Sequence, residues 1–138
     1  MHNDIAARKL YLGFLTIEVI AARNLLVSKS ERYCTLSLNN ERYARTRSTK
    51  DNNPTWNESF CLDVEEGGGD LSITVVGDSV LGRDEAFMGV VTIPLGRHAK
   101  DGDDWYTLEA RPDNRRDLKR LRNMGRADYG QLQLQWTY

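Results

Sequence analysis

Residues 42–60 read RYARTRSTKDNNPTWNESF, and this stretch decides the fold. Tyr43, Arg45 and Arg47 alternate with Ala44 and Thr46. That is the two-residue period of a strand with one apolar and one basic face. Asp51-Asn52-Asn53-Pro54 then breaks the chain. Asn and Asp side chains close turns, and Pro cannot continue a hydrogen-bonded ladder. Trp56-Asn57-Glu58-Ser59-Phe60 opens the next strand with a large aromatic. The stretch is a cationic strand, a turn and an aromatic anchor.

The same period extends in both directions. Upstream, residues 12–22 read as a strand with Leu15, Ile17 and Val19 on one face. A polar loop over 24–32 follows. Residues 33–38 place Cys34, Leu36 and Leu38 on one side and Tyr33, Thr35 and Ser37 on the other. Asn39-Asn40 is a hairpin signal that returns the chain into the basic strand, read as 42–48. Downstream, Phe60, Leu62 and Val64 keep the alternation, and residues 65–70, with Gly67, Gly68 and Gly69, form a flexible tip. Leu71, Ile73 and Val75 give another strand, and 77–86 a long polar loop. Residues 87–95 form a strand ended by Pro94, residues 105–108 a short one, and Leu132, Leu134, Trp136 and Tyr138 close the chain as the last.

Eight short strands without helix–strand alternation predict an all-β, antiparallel β-sandwich. One insertion departs from the pattern. Residues 113–124 read DNRRDLKRLRNM, with Asp113 placed to cap a helix and Gly125 to end it. Leu118, Leu121 and Met124 fall roughly on one face, and Arg115, Arg116, Lys119, Arg120 and Arg122 occupy the rest. A short basic amphipathic helix before the last strand is expected.

Composition narrows the function. The 138 residues are 40% hydrophobic, enough for a core and against global disorder. They fit one domain over 12–138 behind a flexible lead-in of residues 1–11. The net charge of -1 and pI of about 6.1 do not point to nucleic acid. Basic residues cluster all the same: Arg42, Arg45, Arg47 and Lys50 in one place, residues 111–126 in another, with Asp101, Asp103 and Asp104 as an acidic knot. No apolar run is long enough to cross a bilayer. MHNDIAARKLYLG lacks the h-region of a secretory signal, so Cys34 and Cys61 are expected as reduced thiols in a cytosolic protein. Neither G-x-S-x-G nor GxxxxGK[ST] occurs, and no enzyme is expected.

Several segments in order resemble a family. GFLTIEVIAARNL (13–25), ARTR (44–47), NPTWNESF (53–60), LSITV (71–75), FMG (87–89), WYTL (105–108) and GQLQL (130–134) are similar to the motifs of C2 domains. The resemblance covers about residues 12–138 and implies an eight-stranded Greek-key sandwich of the type II permutation. More narrowly, YCTLSLNN (33–40) with YART (43–46) resembles the C2 domains of Ras GTPase-activating proteins. The family docks mostly on phospholipid membranes, often through calcium, and some members bind proteins instead.

The calcium pattern is degenerate here. The family's ligands are aspartates of the first and third loops. Glu31 stands at the second first-loop position, the first has no counterpart, and Lys29 and Arg32 add positive charge where a cation would sit. Gly77 stands at the first third-loop position. The remaining candidates, Glu31, Asp78, Asp84 and Glu85, fall short of the six to eight oxygens calcium takes. No tight calcium site, and no other cofactor, is expected. A weak site completed by lipid phosphate is the minor alternative.

The basic strand remains. The resemblance implies phosphoinositide binding by Arg45 and Arg47, with Tyr33 at an aromatic position the family also uses. Arg42, Tyr43 and Lys50 adjoin them, and the helix adds Arg115, Arg116, Lys119 and Arg120 if it lies on the same side. The expected function is a calcium-independent module on anionic membrane lipids, cytoplasmic and peripheral. The alternative is a protein-interaction module of small-GTPase signalling with no lipid binding.

Overall fold

The hairpin at Asn39-Asn40 sets the first sheet register. Both asparagines take positive φ, 51° and 68°, the backbone that a tight two-residue hairpin requires. They join β2 (Arg32–Leu38) to β3 (Glu41–Arg45). The computed structural model describes residues 11–65, 68–78, 86–95 and 101–137. The other strands are β1 (Tyr11–Arg23), β4 (Thr55–Glu65), β5 (Gly69–Gly77), β6 (Ala86–Leu95), β7 (Gly102–Thr107) and β8 (Gln131–Thr137). One helix, α1 (Arg115–Asn123), precedes β8.

These strands form two antiparallel four-stranded sheets, in the orders β4-β1-β8-β7 and β3-β2-β5-β6. The eight-stranded sandwich read from the sequence is the architecture observed, with the first and last strands side by side. Alternation puts Leu15, Ile17 and Val19 of β1 and Leu132, Leu134 and Trp136 of β8 against Cys34, Leu36, Leu71, Ile73 and Val75 of the facing sheet. Each such side chain contributes about 1.5–3 kcal/mol relative to exposure. Cys34 is fully buried and Cys61 exposed, and both are free thiols. Burial, reinforced by the charge of Glu58, pushes the Cys34 thiol up.

Several boundaries differ from the sequence reading. The basic strand ends at Arg45 rather than Ser48, because Thr46 turns inward: it is buried, and its Oγ1 accepts from the Cys34 N–H at 2.9 Å. β6 starts one residue early, at Ala86, and ends at Leu95 as expected, with Pro94 accommodated inside it. An edge strand tolerates a residue without an N–H. β7 begins at Gly102, before Trp105, and ends at Thr107.

The helix also differs from its expected form. Asp113 has φ 57°, so the cap passes to Asn114, whose side chain accepts from the Asp117 N–H at 3.0 Å. Leu121 is buried, but Leu118 and Met124 are half exposed. The inward face is instead completed by Asp117, which is buried.

The segment before the helix lies along β6, where Val90 and Glu109 exchange backbone hydrogen bonds of 2.9 and 3.0 Å. This crossing requires Gly89: at φ +117°, a Cβ there would lie 2.7 Å from the Cβ atoms of Leu108 and Tyr129. Residues 1–10, 66–67, 79–85, 96–100 and 138 lie outside the described residues, and with them most of the expected lead-in, the tip glycine Gly67, Asp84, Glu85 and the terminal Tyr138. Among the described residues no helix is long and apolar enough to cross a membrane.

Candidate functional site

β3 carries the basic cluster, and its pairing with β2 is irregular. Leu36 pairs with Ala44, but Ser37 pairs with Arg42, so Tyr43 is an extra residue in a bulge. A bulge shifts the alternation by one position. Arg42 therefore joins Arg45, opposite Thr35, on the outer face of the sheet. Strict alternation would have put Tyr43 there. Tyr43 remains exposed, at 53%. It lines an open groove of about 450 Å³ that also holds Arg42, Glu41 and Asp63.

Arg45 lies flat on Tyr33, its guanidinium carbon 3.6 Å from the ring centroid. Tyr33 is buried by this cover, so its ring face belongs to Arg45 rather than to a ligand. Nη2 of Arg45 donates to Ser48 Oγ at 3.0 Å and Nε donates weakly to the Thr46 carbonyl at 3.4 Å. The guanidinium is thus oriented before anything binds. Stacking of this kind contributes roughly 0.5–1 kcal/mol at an exposed site.

Arg47 leaves the strand and turns toward β4. Its backbone N–H donates to Glu58 Oε2 at 2.8 Å, its Nε reaches the same oxygen at 3.4 Å, and Nη2 donates to the Trp56 carbonyl at 3.1 Å. Trp56 Nε1 donates back to the Arg47 carbonyl at 2.9 Å. The Arg47 side chain is still 75% exposed. Lys50 is exposed on the following loop.

The outer face beside β3 is polar. Register aligns Thr35 with Thr74, Ser37 with Ser72, and Ser72 with Thr92. Ser37, Ser72, Thr74 and Thr92 line a second open groove of about 450 Å³, with Arg111 on its far side. Hydroxyls and guanidinium forks around a groove are donors for phosphate or carboxylate oxygens.

The helix is anchored at the opposite edge, beyond β6. Asp117 accepts from Arg111 Nε at 2.7 Å, Arg111 Nη2 at 2.7 Å and the Arg111 N–H at 3.0 Å. Burial alone would push the Asp117 carboxyl up. The Arg111 hydrogen bonds and charge, with Arg120, outweigh it and hold the carboxyl below its usual value. Tyr129 Oη donates to the Asp117 carbonyl at 2.8 Å. Arg120 is also structural: its Nη1 donates to the Phe87 carbonyl at 2.7 Å. Arg115, Arg116 and Lys119 are exposed.

β3 and β6 are the two edges of one sheet. Three strand spacings, about 14 Å, therefore separate the strand cluster from the helix cluster. The expected site residues form two groups, not one: Arg42, Tyr43, Arg45, Arg47 and Lys50 at β3, and Arg115, Arg116 and Lys119 on α1.

At the loop end, Glu31 and Asp78 are adjacent, since the Asp78 N–H donates to the Glu31 carbonyl at 2.8 Å, and both side chains are exposed. Gly77 is buried, and a Cβ there would sit 3.2 Å from Met88 Sδ. Among the described residues no three His, Cys, Asp or Glu side chains converge as a metal site. What does occupy this end is Arg32, fully buried. Its Nη1 donates to the Asp51 carbonyl at 3.0 Å and to Asn52 Oδ1 at 2.5 Å. Its Nη2 donates to the Ser28 carbonyl at 2.7 Å and, weakly, to the Ser30 carbonyl at 3.4 Å. The sequence reading noted its charge but not this burial.

Known proteins share the fold. The family model described as "C2 domain" matches residues 13–108. Human "Multiple C2 and transmembrane domain-containing protein 1" is 35% identical over 88 residues, 61% of this chain and 9% of the relative. "Multiple C2 domain and transmembrane region protein 8" of Arabidopsis thaliana is 32% identical over 116 residues, 75% of this chain and 12% of the relative. The chain thus spans only a small part of these relatives. Among solved structures, the calcium-bound pair of C2 domains of extended-synaptotagmin 2 aligns with a TM-score of 0.70 at 22% identity, over 94% of this chain and 46% of that one. A further solved C2 domain aligns with a TM-score of 0.64 at 14% identity, over 90% of this chain and 96% of that one. These structural likenesses concern the fold.

Proposed function

The chain belongs to the C2 domain family, and from that premise we propose that it is a non-catalytic, calcium-independent module that binds anionic phospholipid headgroups on the outer face at β3. The observation that carries this reading is the pair Arg42 and Arg45, brought to one face by the bulge at Tyr43. Arg45 is held in place by Tyr33 and Ser48. A guanidinium already oriented loses little freedom when it meets a phosphate. The hydroxyls of Ser37, Ser72 and Thr74 continue the donor surface. Arg47 and Lys50 extend it toward the loops, and Arg115, Arg116 and Lys119 form a second contact at the other edge. The module works as a peripheral membrane element in the cytoplasm.

Liposome co-sedimentation tests this with phosphatidylserine and phosphoinositide vesicles, each with calcium and with chelator. Wild type pellets in both conditions, and Arg42→Ala/Arg45→Ala loses about 30-fold in apparent affinity. That follows from roughly 1 kcal/mol per basic residue near an anionic surface. Pelleting only with calcium would reverse the reading of the loops. No pelleting at near-physiological salt would favour a protein-interaction module whose basic face meets an acidic partner.

A further inference from the structure

We infer that Arg32 is a resident cation of the loop end, tying residues 24–31 to residues 46–54 in the way a bound metal ion would tie neighbouring loops. The chain gives this one side chain an unusual setting. Arg32 opens β2, and its backbone is fixed to Thr49 by hydrogen bonds of 2.8 and 2.9 Å. Its guanidinium is 0% exposed and meets oxygens of Ser28 and Ser30 from one loop and of Asp51 and Asn52 from the other. The planar fork directs Nη1 to one loop and Nη2 to the other. A lysine ammonium is a single point of charge and would not reproduce that span.

Energetics favour a binding role over a packing one. A buried cation is costly unless oxygen acceptors replace its water. Here four acceptors do so, three of them backbone carbonyls that would otherwise lack these partners. Only Nε is buried without an acceptor among the described residues. The same charge opposes a divalent cation. Glu31 precedes Arg32 directly, so a metal held there would sit beside a fixed positive charge in a partly desolvated place. Calcium at this end does not fit the described residues: the exposed acids Glu31, Asp51 and Asp78 do not converge on one point, and Gly77 supplies none. The inference rests on the family reading only for what such loops do elsewhere. It makes no use of lipid.

The test is thermal unfolding and amide hydrogen exchange of the whole chain, without vesicles. Arg32→Ala lowers the melting temperature by about 10 °C. Millimolar methylguanidinium chloride recovers part of the loss, and equal sodium chloride or calcium does not. Arg32→Lys, which keeps the charge, leaves β8 amides protected and speeds exchange of the Thr49 and Asp78 amides, which donate to the carbonyls of residues 32 and 31, at least tenfold. Calcium leaves wild type unchanged in both measurements. The inference is overturned if Arg32→Ala melts like wild type, if Arg32→Lys exchanges like wild type, or if calcium raises the wild-type melting temperature. An Arg32→Ala chain that does not fold leaves the Arg32→Lys exchange to decide. Because every readout precedes membrane binding, loss of vesicle pelleting would count against the proposed function alone.

Discussion

Arg32 and Arg45 stand on adjacent strands and do opposite work. At the loop end, Arg32 is fully buried and its two terminal nitrogens are committed to four oxygens of two loops. At the β3 edge, Arg45 is exposed, with one face on the Tyr33 ring and hydrogen bonds to Ser48 and Thr46. Its other face looks to solvent. Residue type and local charge density do not separate the two. Acceptor count and burial do: an arginine whose water has been replaced by protein oxygens is part of the scaffold. One merely oriented by a ring and a hydroxyl is poised for a ligand.

The largest effect expected of this contrast is at the scaffold arginine. Arg32→Ala destabilises the chain by roughly 2–4 kcal/mol, since carbonyls of two loops lose charged donors. A urea melt measures it, and a cost below about 1 kcal/mol would place Arg32 with the surface arginines. The next effect is at the ligand arginines. Arg42→Ala/Arg45→Ala weakens vesicle binding by about 2 kcal/mol while the urea midpoint moves little. High salt reduces the difference, because exposed charges are screened. If instead the double variant unfolds early and still pellets, the two regions have exchanged roles.

The sandwich was legible because alternation and turn chemistry carry it. Leu15-Ile17-Val19, Asn39-Asn40 and the break at Pro54 each gave the local answer that tertiary packing keeps. The face of β3 was not legible. A bulge adds one residue and moves Arg42 to the side of Arg45, and no residue type between 41 and 45 announces it. Arg32 was legible in sign only. Its charge is in the sequence, but its burial depends on where residues 51 and 52 return in space. The helix was legible in place, though it is shorter than read and capped one residue later, and Leu118 and Met124 did not become its inward face. Asp117 did, because Arg111, six residues before it, supplies the hydrogen bonds that make a buried carboxylate tolerable, while Tyr129 holds the Asp117 backbone carbonyl.

Asp117 is thus a second scaffold group, of intermediate weight. Arg111 is half exposed and Asp117 nearly covered, 50% and 6% by side chain. Asp117→Asn keeps the shape, removes the charge, and costs roughly 1–2 kcal/mol. The sign with pH follows from the depressed carboxyl. A group held below its unfolded value adds stability that is fully present above that unfolded value, near 4, and is lost as pH falls through the folded one. Wild type therefore loses its advantage over Asp117→Asn between about pH 4 and more acidic conditions. Urea midpoints of both proteins across that range measure it. A constant gap would mean the Arg111 pair contributes shape and not charge.

The smallest expected effect falls on Arg47, which stands between the two classes. Its backbone N–H is bound by Glu58, and its side chain reaches Glu58 and the Trp56 carbonyl, but that side chain is 75% exposed. An ion pair in such solvent contributes about 0–1 kcal/mol, so Arg47→Gln barely moves the urea midpoint. Glu58→Gln is the more telling change. It keeps an acceptor for the Arg47 N–H and removes the competing carboxylate, so the Arg47 guanidinium is freed for phosphate. Vesicle affinity should rise by about twofold to fivefold, on the scale of one exposed ion pair. If affinity stays level, Arg47 belongs with Arg32 as scaffold, and the lipid-binding face ends, as β3 itself does, at Arg45.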